Sequence, residues 1–193
     1  MMRHKQILLI TIAIVAIAGG ALIWLQLRGN RDNSTSTVAF TNEHSGLKGK
    51  YSKDLSTTRL TESEKKENLF LRLENSNKSI LIRFSYEEGL KPLTTITKTD
   101  LITTVLSNTE KSLPKTFPKL KIESKREFDL NGRRSAEIVF NYQKPGLDKA
   151  KRRLIMINKD DNLVVYVAAE TDEASYGEIN DNYFTPLINS LSF

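Results

Sequence analysis

Residues 121–143 read KIESKREFDLNGRRSAEIVFNYQ, and their pattern is the strongest indication of the fold class. Its second half alternates between polar and apolar residues, as a strand with one buried face does. Asn131-Gly132 lies at the centre, and an Asn-Gly pair between two strand-like runs favours a tight hairpin turn. The stretch therefore predicts an antiparallel hairpin of Lys121–Asp129 against Arg133–Gln143.

The register of this hairpin can be argued from its side chains. A two-residue Asn131-Gly132 loop would pair Leu130 with Arg133 and would set the apolar residues of the second strand opposite charged residues of the first. We therefore expect a three-residue loop, 130–132, with the glycine in the left-handed region. The pairs that this loop predicts are Asp129 with Arg133, Lys125 with Glu137, and Ile122 with Phe140.

Two further hairpins and two helices surround this one. Leu69–Glu74 and Ser79–Glu87 alternate with period two around a turn at 75–78, and Arg152–Asn158 and Leu163–Thr171 do so around 159–162. Helical periodicity predicts one helix over Thr99–Leu113, capped by Thr97 or Thr99 and ended by Pro114. An apolar helical stripe closes the chain, and Pro186 either kinks that helix or opens a short final one. The stripe comprises Ile179, Tyr183, Phe184, Leu187, Ile188 and Leu191. These elements predict an α+β domain in which helices pack on an antiparallel β-sheet.

The chain begins with a segment of a different kind. Ile7–Leu27 reads ILLITIAIVAIAGGALIWLQL and carries no charge, and at about 1.5 Å per residue it spans the hydrocarbon core of a bilayer. The alternative is a signal peptide cleaved near Ala21, but its apolar region would run only about 7 to 15 residues. We therefore expect an uncleaved membrane anchor. Basic residues flank both ends, so the orientation, with the C-terminal domain outside the cytoplasm, rests on analogy with ordinary signal anchors.

The resulting domain organisation has three parts. Residues 1–28 form a short tail and the transmembrane anchor. Residues 29–46 are rich in Ser, Thr and Asn, and they are expected to form a flexible polar tether because they cannot bury enough apolar surface to fold. Residues 47–193 form the folded domain.

Composition excludes several classes of function. The 193 residues include no cysteine, which excludes disulfides and thiolate chemistry. The two histidines, His4 and His44, both lie outside the segments expected to fold, so histidine triads and multi-histidine metal centres are excluded. No nucleotide-binding glycine loop, calcium loop or nucleophile motif is present. We therefore expect no catalytic residues, no cofactor and no metal.

Charge is distributed unevenly along the chain. Residues 111–153 contain 13 Lys or Arg and 5 Asp or Glu, whereas residues 154–193 contain 1 and 7. The basic block is a candidate docking surface for anionic lipid or an envelope polymer, although alternation along strands would scatter its residues over both sheet faces. The candidate docking residues are Lys125, Arg126, Arg133, Arg134, Lys151, Arg152 and Arg153. Nucleic acid is not expected, since aromatic residues do not interleave with the basic ones.

The order of elements resembles that of the PsbP-like family over Leu47 to Phe193. The resemblance rests on the turn Leu130-Asn131-Gly132, the strand AEIVFNY at 136–142, and the final residues LINSLSF at 187–193. The early Tyr-Pro-Gly-Trp strand of that family is absent, and Tyr51-Ser52-Lys53-Asp54 is its only counterpart. The family implies an antiparallel sheet between helical layers (an α/β/α sandwich) and a binding or assembly role. Its founding members support photosystem II, and its bacterial relatives are mostly anchored extracytoplasmic proteins.

These observations lead to one expected function and two alternatives. We expect a membrane-anchored, extracytoplasmic, non-enzymatic module that binds an envelope protein or an anionic envelope component. The first alternative is a structural subunit of a cell-envelope or secretion assembly. The second is an anchored hydrolase, for which a concave pocket with two close carboxylates of raised pKa would be the signature.

Overall fold

A computed structural model describes residues 36–90, 101–144, 149–160 and 162–193. The predicted anchor at Ile7–Leu27, the first part of the predicted tether and the predicted helix caps at Thr97 and Thr99 lie outside these residues. Within them, no helix is both long enough and apolar enough to cross a bilayer.

A seven-stranded sheet, in the order β3-β4-β5-β9-β8-β7-β6, organises the domain. All neighbouring strands in it are antiparallel. The three predicted hairpins are confirmed as β4–β5, β6–β7 and β8–β9. The strands are β3 (Ser56–Thr57), β4 (Leu69–Asn75), β5 (Ile80–Glu88), β6 (Lys121–Leu130), β7 (Arg133–Gln143), β8 (Lys149–Asn158) and β9 (Leu163–Asp172).

A smaller sheet and short helices complete the described part of the domain. β1 (Thr37–Thr41) and β2 (Lys48–Ser52) pair with each other, and Lys48 forms an isolated bridge with Ser192. The helices are α1 (Glu62–Lys66), α2 (Leu101–Thr116), α3 (Tyr176–Ile179) and α4 (Thr185–Asn189), with 3₁₀ turns at Ser76–Lys78 and Glu173–Ser175. A π-helical turn, Asn180–Phe184, joins α3 to α4.

The two faces of the large sheet bury separate cores. One face carries Leu73, Ile82 and Phe84 with the odd-numbered residues of β9, and the C-terminal helices and β1–β2 cover it. The opposite face carries Ile138, Phe140 and Met156, which α2 covers. Because successive strand residues point to opposite faces, the period-two patterns of the sequence supply both cores. The predicted α+β class, with helices on an antiparallel sheet, is confirmed.

The structured domain begins earlier than the sequence predicts. β1 lies within the predicted tether, whose described part starts at Ser36. Phe40 explains the difference, since its ring packs 5.2 Å from that of Phe84 and so joins the core. Ser36 is also held, because its carbonyl accepts a 2.8 Å hydrogen bond from the backbone N–H of Lys53. Two half-buried side chains in a polar stretch are too weak a pattern to predict a strand.

His44 is a second correction in the same region. It follows β1 in a turn, its ring stacks 4.4 Å from that of Tyr86, and its Nε2 lies 2.5 Å from Glu88. His44 therefore belongs to the folded domain, contrary to the expectation from the sequence. Its contact with the carboxylate of Glu88 lies at the protein surface.

The loop of the β6–β7 hairpin differs from the prediction. Leu130 pairs with Arg133 across a two-residue loop in which Asn131 and Gly132 both have positive φ, of 51° and 82°. Lys125 consequently faces Ile138 instead of Glu137. The predicted pairing of Ile122 with Phe140 does occur, because an irregularity between Ile122 and Ser124 shifts the register.

The charged side chains of β6 explain why this register is tolerated. β6 is an edge strand, and its face toward α2 meets the polar flank of that helix. Lys125 Nζ lies 2.8 Å from Glu110, and Thr103 Oγ1 donates a 2.9 Å hydrogen bond to Glu127. The charged residues of β6 that lie opposite apolar residues of β7 therefore find polar partners on α2, at the edge of the sheet.

The two prolines act differently in their helices. Pro114 lies inside α2, which continues to Thr116, so the prediction that it ends the helix is wrong. Its missing N–H removes one hydrogen bond, but the Phe117 N–H still donates to the Leu113 carbonyl at 2.9 Å. Pro186 opens the short helix α4, as one of the two predicted alternatives states.

Candidate functional site

An open cleft of about 400 Å³ lies where the described helices leave the sheet uncovered. α2 packs on β7 and β8, whereas β4 and β5 point polar side chains, including Arg72, Glu74 and Arg83, to the same face. The sequence creates this opening because β4 and β5 alternate apolar residues toward one core only. The cleft is lined by Arg72, Glu74, Ser76, Ser79, Ile80, Leu81, Lys144, Ala150, Glu170, Thr171 and Asp172.

Glu170 is the most deeply buried charged group of the cleft, with 4% of its surface exposed. It lies on β9 directly opposite Arg152 on β8. Arg152 Nε donates to Glu170 Oε2 at 2.9 Å, Tyr142 Oη donates to the same oxygen at 2.6 Å, and Lys144 Nζ reaches Oε1 at 3.1 Å. Both carboxylate oxygens are therefore satisfied by groups of the protein itself.

Aromatic rings hold the guanidinium of Arg152 in place. Its Cζ lies 4.7 Å from the ring centre of Phe117, which follows α2, and 5.6 Å from that of Tyr142. This arrangement is a cation–π contact in a partly dry setting, and it fixes the cation that faces Glu170.

These contacts set the protonation states of the cluster. Burial by itself would raise the pKa of Glu170, but the charge of Arg152 and the hydrogen bonds from Tyr142, Arg152 and Lys144 outweigh it and lower the pKa to about 2. Burial, together with the hydrogen bond to Glu170, raises the pKa of Tyr142 to about 12. Near neutral pH the cluster therefore holds an ionised carboxylate and a neutral phenol, and Glu170 has no proton to donate.

The wall of the cleft formed by β4 carries a second ion-pair group. Arg72 Nε donates to Glu74 Oε1 at 2.5 Å, and Arg72 Nη1 donates to Glu64 Oε1 at 2.8 Å. Arg83 lies opposite Arg72 in the register of β4 and β5. Within the part of the chain that the structure describes, the buried Nε of Arg83 has no hydrogen-bond partner.

A smaller recess of about 190 Å³ lies at the end of the sheet where β6 and β8 begin and β7 ends. Three exposed lysines, Lys119, Lys121 and Lys149, line it together with Asn141, Tyr142, Gln143 and Glu173. Lys149 Nζ lies 4.0 Å from Glu173. In the described ranges, no carboxylate lies within 4.0 Å of Lys119 or Lys121.

The structure places the seven predicted docking residues on two faces of the sheet. Lys125, Arg134 and Arg152 point to the face that α2 covers, while Arg126, Arg133, Lys151 and Arg153 point to the opposite face. Most are engaged internally: Arg126 and Arg153 both bind Glu137, Lys151 binds Glu123, and Arg133 donates to the Lys159 carbonyl. Their docking role stays a prediction, but they do not form one continuous surface.

The cluster around Glu170 was missed by sequence reasoning. Glu170 is the one carboxylate inside the apolar run LVVYVAAE, and a lone acid at a position that alternates with buried residues is a signal for a buried ion pair. Its partners come from other segments, so only the order of the strands reveals them. For the described residues, no group of three or more His, Asp or Glu side chains is arranged to hold a metal ion.

Comparisons with known proteins bear on the fold. The sequence matches no known family and no curated protein. Its structure is similar to cyanobacterial PsbP (CyanoP) from Synechocystis sp. PCC 6803, with 10% identity and a TM-score of 0.61 over 84% of this chain and 95% of that one. It is also similar to LpqN, involved in cell envelope biogenesis of Mycobacterium tuberculosis, with 12% identity and a TM-score of 0.54 over 84% and 92%.

The similarity extends to a eukaryotic protein. The Ran-binding protein Mog1p of Saccharomyces cerevisiae is 7% identical, with a TM-score of 0.50 over 82% of this chain and 96% of that one. At such identities the likeness concerns the fold alone. The predicted PsbP-like fold is therefore confirmed.

Proposed function

We propose that this chain is a membrane-anchored, extracytoplasmic, non-enzymatic binding or assembly module built on a PsbP-like domain. The uncharged segment Ile7–Leu27 supports the anchor, since its length matches the hydrocarbon core of a bilayer. The structural likeness to LpqN, a protein of cell envelope biogenesis, supports an envelope setting. The partner is an envelope protein or an anionic envelope component, and it is not a nucleic acid.

One observation carries the choice of binding over catalysis. The buried carboxylate of the cleft, Glu170, is held ionised by Arg152, Tyr142 and Lys144, with a pKa of about 2. A general acid that works near neutral pH needs a raised pKa instead. The cleft nonetheless has a volume within the range of about 300 to 1,000 Å³ that ligand sites occupy.

The hydrolase alternative loses support on the same ground. Its signature is a pair of close carboxylates of which one has a raised pKa. The cleft does contain Glu74 and Glu170, but Glu74 is paired with Arg72 and the pKa of Glu170 is lowered. Both carboxylates are used to fix cations, and a fixed polar surface suits recognition of a charged partner.

Membrane topology is the first test. A reporter that is active only outside the cytoplasm, fused after Phe193, is expected to be active, and a cytoplasmic reporter at the same position to be inactive. The fusion is expected to stay in the membrane after carbonate extraction and to migrate at its uncleaved length. Activity of the cytoplasmic reporter alone would overturn the extracytoplasmic assignment, and a shortened, extractable product would overturn the anchor.

A second test addresses binding at the cleft. A photoreactive amino acid placed at Ser76, on the cleft wall, is expected to give an adduct of discrete mass in the native cells. The same amino acid at Ser124, an exposed position on β6 away from the cleft, serves as the matched control. Adducts from Ser124 but not from Ser76 would move the binding site away from the cleft. A ladder of self-adducts from both positions would favour the structural-subunit alternative.

A further inference from the structure

The described chain starts at the same end of the sheet as the exposed lysines. β4 ends at Asn75 and β9 at Asp172, next to the starts of β5 and β8, so these residues mark one end. Asn75 Nδ2 donates to the Asp54 carbonyl at 2.9 Å, and the Lys53 N–H donates to the Ser36 carbonyl at 2.8 Å. Ser36 therefore lies at this end of the sheet.

We define the lysine-rich end by five exposed side chains: Lys53, Lys115, Lys119, Lys121 and Lys149. Lys121 and Lys149 are the first residues of β6 and β8, and Lys115 lies in the last turn of α2. β8 is two strand spacings of about 4.8 Å from β5 and β6 is four, so Lys149 and Lys121 lie roughly 10 Å and 19 Å across the sheet from β5. Asp54, Asp172 and Glu173 also lie here, and Asp54 is 3.7 Å from Lys78.

The opposite end of the sheet has the opposite character. Glu87 and Glu88 end β5, and Asp129, Asp160 and Glu43 lie in or beside the turns there, all exposed. Lys48, Lys159, Arg133 and Arg134 are at that end too, but Arg134 is paired with Glu127 and Arg133 donates to the Lys159 carbonyl. The domain is thus polarised along its strands, and an anionic surface would attract one end and repel the acidic groups of the other.

Chain length limits which end can approach the membrane. Eight residues, 28–35, separate Leu27 from Ser36, and they reach at most about 28 Å when fully extended. Ten-residue strands such as β8 are themselves about 33 Å long. If Ile7–Leu27 spans the bilayer as proposed, a connection of at most about 28 Å is too short to put the acidic end on the membrane with the strands upright, which needs about 33 Å, and this favours approach of the lysine-rich end.

We infer that the lysine-rich end docks on the anionic phospholipid headgroups of the membrane that anchors the chain. The inference rests on the proposed anchor, and it assigns a partner to a surface that includes Lys119, Lys121 and Lys149 rather than to the seven residues singled out from the sequence. Lysine side chains suit this role, because their ammonium groups are carried on flexible aliphatic chains and bind phosphate as point charges without a fixed geometry.

Lysine footprinting of the full chain tests this docking. The protein is reconstituted in nanodiscs of phosphatidylcholine, or of phosphatidylcholine with phosphatidylglycerol, and labelled with a neutral amine-reactive reagent. The labelling rate of Lys119, Lys121 and Lys149 is expected to be lower in the anionic discs by on the order of fivefold. This factor corresponds to the binding free energy of about 1 kcal/mol that one near-surface charge contributes. Lys48 and Lys159, at the acidic end, are internal references and should label equally in both lipids.

Two controls separate docking from other causes of slow labelling. Salt at about 1 M shortens the screening length to about 3 Å and should abolish the difference between the lipids. The double variant Lys119→Gln/Lys121→Gln should remove the protection of Lys149, whereas Lys48→Gln should not. All three substitutions are at exposed side chains, so the fold is expected to persist.

Each remaining outcome is decisive. Equal labelling in both lipids, with the chain incorporated, overturns the docking and leaves the anchor standing. Protection by soluble polyphosphate but not by anionic discs overturns the choice of lipid. If the chain does not enter nanodiscs, the proposed anchor fails, and sedimentation with phosphatidylglycerol vesicles decides the docking. Vesicle binding that is lost in the double variant would support the docking. Absence of vesicle binding by the wild-type chain would overturn the docking.

Discussion

Arg152 and Glu170 face each other across the β8–β9 hairpin, and they form the centre of a buried ion-pair cluster of which Glu170 and Lys144 line the cleft. Arg152 contacts the rings of both Phe117 and Tyr142, and Glu170 is 4% exposed. The pair therefore joins the α2 core to the open cleft, and water screens its charges less than it screens a surface ion pair.

Replacing Glu170 tests how strongly the cluster stabilises the fold. Glu170→Gln leaves the guanidinium of Arg152 buried without its counter-charge, so we expect the free energy of unfolding to fall by about 3 kcal/mol. Thermal unfolding followed by circular dichroism measures the change. Glu62→Gln is the control, because Glu62 pairs with Lys65 at the surface with 82% of its side chain exposed and should cost nothing measurable. A similar loss in both variants would contradict the buried pairing.

The same carboxylate predicts a pH dependence of stability. The pKa of Glu170 is lowered from 4.5 to about 2 by folding, so its ionised form stabilises the native state above pH 4.5. This contribution, on the order of 3 kcal/mol, is lost as the pH falls from about 4.5 to about 2. The stability gap between the wild-type chain and Glu170→Gln should thus be constant from pH 7 to about 5 and shrink below that. A gap of the same size at pH 3 would contradict the prediction.

Gly49 predicts the cost of filling a tight contact between β2 and the C-terminal segment. A Cβ at this position would lie 2.7 Å from both Leu191 Cδ2 and Phe40 Cε1. Gly49→Ala is therefore expected to destabilise the protein by about 1 to 3 kcal/mol. Gly177→Ala, in α3, is the matched control, because no atom lies within 4 Å of the added Cβ and alanine favours a helix by up to about 1 kcal/mol. Equal unfolding temperatures for the two variants would show that β1 and Leu191 do not close on Gly49.

The hairpin loop offers a prediction on backbone conformation. Asn131 combines a positive φ of 51° with a 2.6 Å hydrogen bond from its Nδ2 to the Leu191 carbonyl. Asn131→Gly keeps the backbone conformation and loses the hydrogen bond, so we expect a loss of about 1 kcal/mol. Asn131→Val should cost more, since a β-branched residue is strained at positive φ. Unfolding midpoints in urea distinguish the two variants, and a valine that is no worse than glycine would argue for the three-residue loop.

Much of the fold could be predicted because the decisive patterns are long and local. The alternation in β5, β7 and β9 and the apolar stripe before Phe193 each extend over many residues, and all of them form the predicted elements. β1 could not be predicted, because its one large apolar side chain, Phe40, joins the core through a contact with Phe84, which is distant in the sequence. The β6–β7 loop was mispredicted because charges on an edge strand cost little when α2 supplies partners.

The candidate site was less accessible to sequence reasoning. Glu170 stands out as a single acid in an apolar strand, but Tyr142 and Lys144 come from β7 and the residues after it, two strands away in the sheet. A list of basic residues also could not separate Arg152 and Arg153, which form ion pairs inside the domain, from Lys119 and Lys121, which are exposed and have no carboxylate within 4.0 Å among the residues that the structure describes. That distinction depends on which face and which end of the sheet each residue occupies.

The bridge between Lys48 and Ser192 has a mechanical consequence. It fastens the C-terminal residues to the start of β2, while β1 begins at the other end of the same two-stranded sheet, where Thr37 pairs with Ser52. Force applied between Ser36 and the C-terminus therefore runs parallel to β1 and β2, across hydrogen bonds that are perpendicular to the strands. The five pairs of this small sheet would be sheared together rather than opened one at a time, so the two strands would resist such a force as a unit.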